Sequence, residues 1–446
     1  MNELYVSKFG GSSVASADKI KKIRKIINED SRRRLVVVSA LGKEDKKDRK
    51  ETDILIDYAN TKEEQYIKQL AEKNWKVFNA FGMQEYELEK IFRDTLYERA
   101  NQSCSLEAIT DSIKAYGEES TARFIADAFS WRYIDPKEYI VVSNDFGNAR
   151  ILDETYDRLI ELMKEIKKSD DIFLMPGFYG YTKDGLIATL KRGGSDLTGA
   201  VVAAGINADL YENFTDQDGV LSAHPDFVRN PKKIEEMTYN EIRNLSYMGF
   251  KILQEDAMWP TQQKGIPIHI RNTNKYPLEG TKIVSDRMYD LNKPAIGVSY
   301  DNTYAFNVKN FGLNEQRGIV NKILDVIENK YKINVEFFPG AIDKQSFVFR
   351  KDNLKLSGEM ITKIEKEIEE IAGKYSKAEF IKDSGALAIA GEGIDKTDVT
   401  EDVSKLLRKM GYKKTFLIED EGYSIIEINR QYAKKAVNLV YSRFVK

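Results

Sequence analysis

The sequence predicts an α/β protein: first a parallel-sheet sandwich with helices on both faces, then two small α+β modules. Three observations predict it. Uninterrupted β-branched runs such as Leu35-Val36-Val37-Val38 alternate with segments of helical spacing such as Ile20, Ile23, Ile26 and Ile27, as in strands buried on both faces and joined by helices. Residues 62–133 are rich in helix formers and poor in Gly and Pro, which reads as a helical subdomain inserted among the strands. From Ile296 onward, two stretches of about 70 residues share a strand–helix–strand rhythm.

The strand Leu4–Phe9 opens the chain and turns at Gly10-Gly11 into the first helix. Further strands are expected at Leu35–Ser39, Tyr139–Ser143, Ile172–Phe178, Leu186–Leu190, Asp209–Phe214 and Pro267–Ile270. The charge run Lys43–Lys50 reads as a solvated loop, with a mobile lid near a nucleotide as the sharper alternative. Gly117-Glu118-Glu119-Ser120-Thr121 reads as the start of a helix. In the last part, Gly297–Val308, Gly318–Lys330 and Asn334–Phe338 make the first rhythm, and Ala386–Ala390, Thr400–Met410 and Thr415–Glu419 the second. These divide the chain into 1–290, 296–376 and 377–446, with the elements of the two modules free to interleave.

Composition narrows the function. Lys+Arg 69 against Asp+Glu 71 leaves a net charge of -2, so nothing global attracts nucleic acid or an anionic membrane. Cys104 is the single cysteine, which excludes an intrachain disulfide framework and a multi-thiolate metal site. No secretory leader and no run of about 18 apolar residues is visible, so a cytoplasmic address is expected. His224 and His269 are the only histidines, and the chemistry must run on Lys, Arg, carboxylates and backbone amides.

Lys8-Phe9-Gly10-Gly11-Ser12-Ser13 joins a buried strand to a helix, where unpartnered amides attract phosphate and Lys8 adds a mobile charge. An ordinary tight turn is the competing reading. Arg192-Gly193-Gly194-Ser195-Asp196 is a second glycine-lined turn into a helix, with a planar fork at Arg192 suited to a carboxylate. Asp196 also suits the helix dipole. Thr215-Asp216-Gln217-Asp218-Gly219 follows a strand, where carboxylates accept from a ribose or simply make a turn. Asp145-Phe146-Gly147 spells a protein-kinase triplet, but the companion His-Arg-Asp and GxGxxG motifs are missing.

Taken in order, these pieces resemble the aspartokinase branch of the amino-acid kinase family over essentially the whole chain. The resemblance adds Val38-Ser39-Ala40, Thr52-Asp53, Gly177-Phe178-Tyr179-Gly180, Gly249-Phe250-Lys251-Ile252-Leu253 and Ile270-Arg271-Asn272-Thr273. It implies a kinase domain followed by two ACT modules. It places Lys8, Gly10, Gly11 and Ser39 at the phosphates and Thr215, Asp216 and Lys251 at the nucleotide. Thr52, Glu118, Phe178, Arg192 and Ser195 would line an L-aspartate pocket, with Glu118 meeting the α-ammonium and Arg192 the α-carboxylate; Lys8, Arg192 and Asp196 are the catalytic candidates. ATP with Mg²⁺ would be the phosphoryl donor, the metal ligands remaining open.

The chain departs from the family at Lys191, where Gly is usual, and at His224-Pro225-Asp226, where Asp-Pro-Arg is usual. A same-fold kinase for another small acid and a silent amino-acid-binding regulator are the alternatives. For feedback, the resemblance points to lysine at the first module, contacted by Asn310, Leu313, Gln316, Gly318, Ile319 and Glu336, and to a homodimer or higher assembly through the modules.

Overall fold

The computed structural model describes residues 3–191, 193–247, 255–351, 356–412 and 417–446. Two compact units emerge: Met1–Val220 with Lys233–Tyr239 and Ile252–Arg287, and Leu221–Lys232 with Asn240–Lys251 and Met288–Lys446. In chain order the elements up to residue 205 are β1 (Tyr5–Phe9), α1 (Ala17–Asn28), β2 (Arg33–Val38), α2 (Glu51–Thr61), α3 (Glu64–Phe78), α4 (Glu85–Ala100), α5 (Leu106–Phe129), β3 (Arg132–Tyr133), α6 (Pro136–Tyr139), α7 (Glu154–Lys168), β4 (Phe173–Pro176), β5 (Tyr179–Tyr181), β6 (Ile187–Thr189) and α8 (Gly194–Gly205). Then follow β7 (Leu210–Thr215), β8 (Glu236–Thr238), α9 (Tyr239–Tyr247), α10 (Glu255–Lys264), β9 (Ile268–Asn272) and β10 (Thr281–Val284).

The first unit is the expected sandwich. Its eight-stranded sheet runs β3-β4-β2-β1-β7-β9-β10-β8. All pairs are parallel except β9 with β10. Strand alternation sends Phe9, Val36, Val38 and Phe214 into a core with α1–α5, where Phe9 stacks on Phe214 at 4.6 Å between centroids. Lys8, on the opposite face, points toward α8. Arg33 binds Glu212 through two hydrogen bonds of 2.6 and 2.8 Å, and Ser7 donates to the same carboxylate at 2.9 Å. This buried group locks β1, β2 and β7 together at one level.

Two expectations fail here. Tyr139–Ser143 is not a strand of the sheet: Asp135 caps α6, with Pro136 in its first turn, and Val141 and Val142 make only isolated bridges to Tyr181 and Ile151. Pro fixes a helical φ and lacks a ladder donor, so the apolar run begins as a helical turn. Gly117-Glu118 does not begin a helix but lies inside the 24-residue α5. A Cβ on Gly117 would stand 2.9 Å from Ala40 Cβ and 3.0 Å from Leu55 Cδ1, so the glycine lets α5 approach its neighbours closely.

The second unit holds β11 (Gly297–Lys309), α11 (Ile319–Leu324), β12 (Gly340–Ala341), β13 (Lys344–Arg350), α12 (Gly358–Ala372), β14 (Lys377–Ala390), α13 (Val399–Lys409), β15 (Leu417–Asp420), β16 (Tyr423–Asn429) and α14 (Ala433–Val440). They form one antiparallel sheet, β12-β13-β11-β14-β16-β15. Two cores share it. Val298 and Tyr300 of β11 and Leu387 and Ile389 of β14 pack with α13 and α14, whereas Phe306 and Val308 of β11 and Ala378 of β14 pack with α11 and α12. The β11–β14 register shifts between Thr303 and Ala305, where the strands pass from one core to the other. Asn334–Phe338, expected as a strand, makes only the isolated bridge Phe337–Val348. Thr415 and Lys414 fall outside the described residues. Among the described residues, no helix is long and apolar enough to cross a membrane.

Candidate active site

The carboxyl ends of β1, β2, β4 and β7 open onto a cavity of about 980 Å³ within the first unit. Strand ends gather here because each parallel strand hands over to a loop and helix on the same side of the sheet. At the end of β1, Gly10 leads into a short 3₁₀ turn, Gly11–Ser13. The loop after β2 lies against it, with the Gly42 amide donating to Gly11 O at 3.0 Å. A Cβ on Gly42 would stand 2.4 Å from the Gly11 carbonyl carbon, so that contact admits only glycine.

Lys8 is 5% exposed. Its ammonium meets Asp196 Oδ1 at 2.5 Å, and Asn213 Nδ2 donates to the same oxygen at 3.0 Å. Asp196 stands in the first turn of α8, which starts after Gly193 at φ +85. A Cβ on Gly177 would lie 2.9 Å from Ser195 Cα, so the β4 end and the α8 start touch backbone to backbone. Phe178, a cavity-lining residue, holds φ +76. That left-handed conformation costs of order 1–3 kcal/mol for a non-glycine residue. It is held by the Phe178 amide donating to Thr198 Oγ1 at 3.0 Å and the Leu190 amide donating to Phe178 O at 2.8 Å.

Glu118 lines the cavity from α5, and its Oε2 has no hydrogen-bond partner among the described residues. Burial pushes its carboxyl up to about 8, against the Ala40 amide, with the neighbouring Glu51 raising it further and Lys8 lowering it. Glu51, the residue before Thr52, is wholly buried. Its carboxylate accepts from the Leu41 amide at 3.0 Å and from Asn74 Nδ2 at 2.8 Å. Burial outweighs those bonds and raises its carboxyl to about 7.

Lys8, Gly10, Gly11, Ser39, Thr52, Glu118, Phe178, Ser195, Asp196 and Asp216 all line this one cavity. Thr215 lies beside it, at the end of β7. Arg192 and Lys251 lie outside the described residues. Sequence reasoning passed over Gly42 and Lys114, met Gly147 only as the end of the discarded protein-kinase triplet, and read Lys43 and Lys50 only as part of a charge run, though all five line the wall. Asp48 of that run pairs with Lys73 of α3 at 2.7 Å, and Arg49 pairs with Asp57 of α2. Lys191, where the family has Gly, pairs with Asp256. Among the described residues, no group of three or more His, Cys, Asp or Glu side chains is placed to hold a metal ion.

In the second unit, two expected effector residues converge: Asn310 Nδ2 and Gln316 Nε2 donate to the same carbonyl, Ala372 O, at 2.7 and 3.1 Å. Gly318, at φ +72, leads into α11 at Ile319, and Leu313 is buried in the 3₁₀ turn between. Glu336 lies off any ladder and pairs with Arg350 at 3.4 Å.

Residues 3–272 match the amino acid kinase family. Aspartokinase 3 of Bacillus subtilis is 36% identical over 81% of this chain and 82% of its own length. The crystal structure of Clostridium acetobutylicum aspartate kinase superposes with a TM-score of 0.86 at 30% identity, covering 99% of this chain and 100% of that one. Escherichia coli aspartokinase III, solved with lysine and aspartate, shares the fold at TM-score 0.79 and 18% identity over the full length of both. With the glycine-lined cavity at the strand ends, these likenesses establish that the chain belongs to the amino acid kinase family, in its aspartokinase branch, and is a phosphotransferase with a carboxyl group as acceptor.

Proposed function

We propose that the protein transfers the γ-phosphoryl group of ATP to the side-chain carboxylate of L-aspartate, giving 4-phospho-L-aspartate, under feedback control by lysine. The observation that carries this reading is Glu118: a buried carboxyl with one unpartnered oxygen, on the wall of the cavity that also holds Lys8 and the glycine turns. A substrate ammonium supplies the missing donor and draws the proton off Glu118. The acceptor carboxylate, with an ordinary pKa of about 3.9, attacks without a general base. Lys8 and the Gly11 amide would stabilise the charge that moves with the phosphoryl group, the Gly10 amide already donating to Phe214 O at 3.2 Å. Asp196 and Asp216 offer oxygen donors on the wall, which suits Mg²⁺ held largely through water and phosphate oxygens. When bound, the ion neutralises phosphate charge.

One coupled assay of ADP release with aspartate, glutamate and acetylglutamate tests the acceptor. Turnover with aspartate alone is expected, and turnover with another of the three alone would reassign the substrate. No ADP release with any acid would favour the silent regulator.

For feedback, the loop around Asn310, Leu313, Gln316 and Gly318, with Ile319 and Glu336, is the proposed lysine site; lysine as the effector is in keeping with an E. coli relative solved in complex with lysine and aspartate. An ammonium arriving at Glu336 competes with Arg350. The exposed apolar side chains of Phe311, Phe338 and Ile342 support pairing of copies through this unit, and the reading places the protein in the cytoplasm. Inhibition by lysine should weaken in Glu336→Ala; inhibition by threonine alone would discard the effector.

A further inference from the structure

Lys114 lies four residues before Glu118 on α5, and both line the cavity. Residues at that spacing share a helix face with Cβ atoms about 6 Å apart. The Lys114 ammonium bridges Asp111 Oδ1 at 2.7 Å, and its side chain is 16% exposed against 2% for Asp111. Asp111 Oδ2 is occupied elsewhere: it accepts the Gly147 amide at 2.6 Å and the Thr189 amide at 2.7 Å. The carboxylate is therefore tied to the Gly147 loop and to the end of β6, and it holds the Lys114 head at a set place on the wall. An ammonium has three N–H donors, and this bridge directs it to one oxygen.

The arrangement along the helix is a cation, then one turn later an acid with an unpartnered oxygen. An α-amino acid carries the complementary pair, a carboxylate and an ammonium on one carbon. We propose that Lys114, fixed by Asp111, is a specificity-determining residue that binds the α-carboxylate of the acceptor while Glu118 binds its α-ammonium, so that α5 supplies one partner to each charge of the amino-acid head group. This rests on the aspartate reading above and adds a cation to Arg192, which the family resemblance assigns to the same carboxylate. The side-chain carboxylate is then left to face the phosphoryl donor. A half-buried lysine serving only to neutralise Asp111 is the plain competitor. That role would affect folding and leave substrate choice unchanged.

The test compares wild type, Lys114→Met and Lys114→Arg in initial-rate assays with aspartate and with its α-amide. Lys114→Met should raise the KM for aspartate roughly tenfold or more with kcat largely kept. It should also shrink the preference for aspartate over the α-amide, and Lys114→Arg should restore most of both. A Lys114→Met enzyme with wild-type KM and preference, whether or not its melting temperature falls, would overturn the proposal. If Lys114→Met does not fold, Lys114→Gln against Lys114→Arg gives the same comparison. A wild-type enzyme that turns over no aspartate removes the acceptor reading itself and this inference with it, an outcome visible before any variant is made.

Discussion

Lys8 and Asp196 link the two glycine turns: the ammonium at the end of β1 lies 2.5 Å from the carboxylate in the first turn of α8. The pair fixes where the cation stands before a nucleotide arrives. Lys8→Ala should lower kcat roughly 100-fold or more while changing the KM for aspartate far less, because the charge acts where phosphoryl charge is redistributed. Asp196→Asn should lower kcat by roughly tenfold, through a less well-placed Lys8. Steady-state kinetics on folded variants checks both, and near-normal kcat in Lys8→Ala would remove Lys8 from the mechanism.

Glu118→Gln keeps the shape of the side chain and removes its capacity to ionise. The KM for aspartate should rise roughly tenfold or more, since a charged hydrogen bond is commonly worth about 1.5–3 kcal/mol. Unchanged aspartate affinity would show that the ammonium is read elsewhere.

Two carboxyls raised by burial make stability depend on pH. Unfolded acids titrate near 4, whereas Glu51 titrates at about 7 and Glu118 at about 8 in the fold. Between those limits the folded state binds more protons. The stability these groups contribute is therefore fully present below about pH 4 and is lost as pH rises through 7 to 8. Glu51→Gln, which mimics the protonated acid, should melt progressively higher relative to wild type from pH 5 to about 7 and level off above it. Aspartate affinity should rise up to about pH 8.5, because the ammonium needs Glu118 ionised. A constant melting difference across that range would mean that Glu51 is already ionised at pH 5.

Gly117→Ala should destabilise despite the better helix propensity of Ala. The propensity gain is about 1 kcal/mol, and overpacking against Ala40 and Leu55 costs typically 1–3 kcal/mol. A lower urea midpoint and a raised KM for aspartate are expected, since the same shift moves Glu118. A higher midpoint would show that Leu55 yields easily.

The sheet was legible where burial on both faces forces a run of β-branched residues, as in Leu35–Val38. The turns Gly10-Gly11 and Gly193-Gly194 were legible because strand, glycine and helix follow each other directly. Gly117 misled because its cause is Ala40, a residue distant in sequence, and a mid-helix glycine looks locally like a boundary. Gly42 was passed over for the same reason: its constraint is the backbone of Gly11. Lys114 was hidden because lysine is an ordinary helix former, and only the buried Asp111 beside it shows that the charge is held inward. Asn334–Phe338 has strand composition, but only Phe337 finds a bridge.

The long strands β11 and β14 each donate one half to one core and the other half to the second. No single cut in the gene therefore separates the two modules. Excising the segment between the strands removes α11 and α12 but leaves both long strands with a bare apolar half, and shortening the strands at Thr303 and Ser384 requires two junctions at once. Grafting an effector specificity from a relative thus calls for exchange of the whole six-stranded sheet with its helices. A single-junction chimera should express as aggregate.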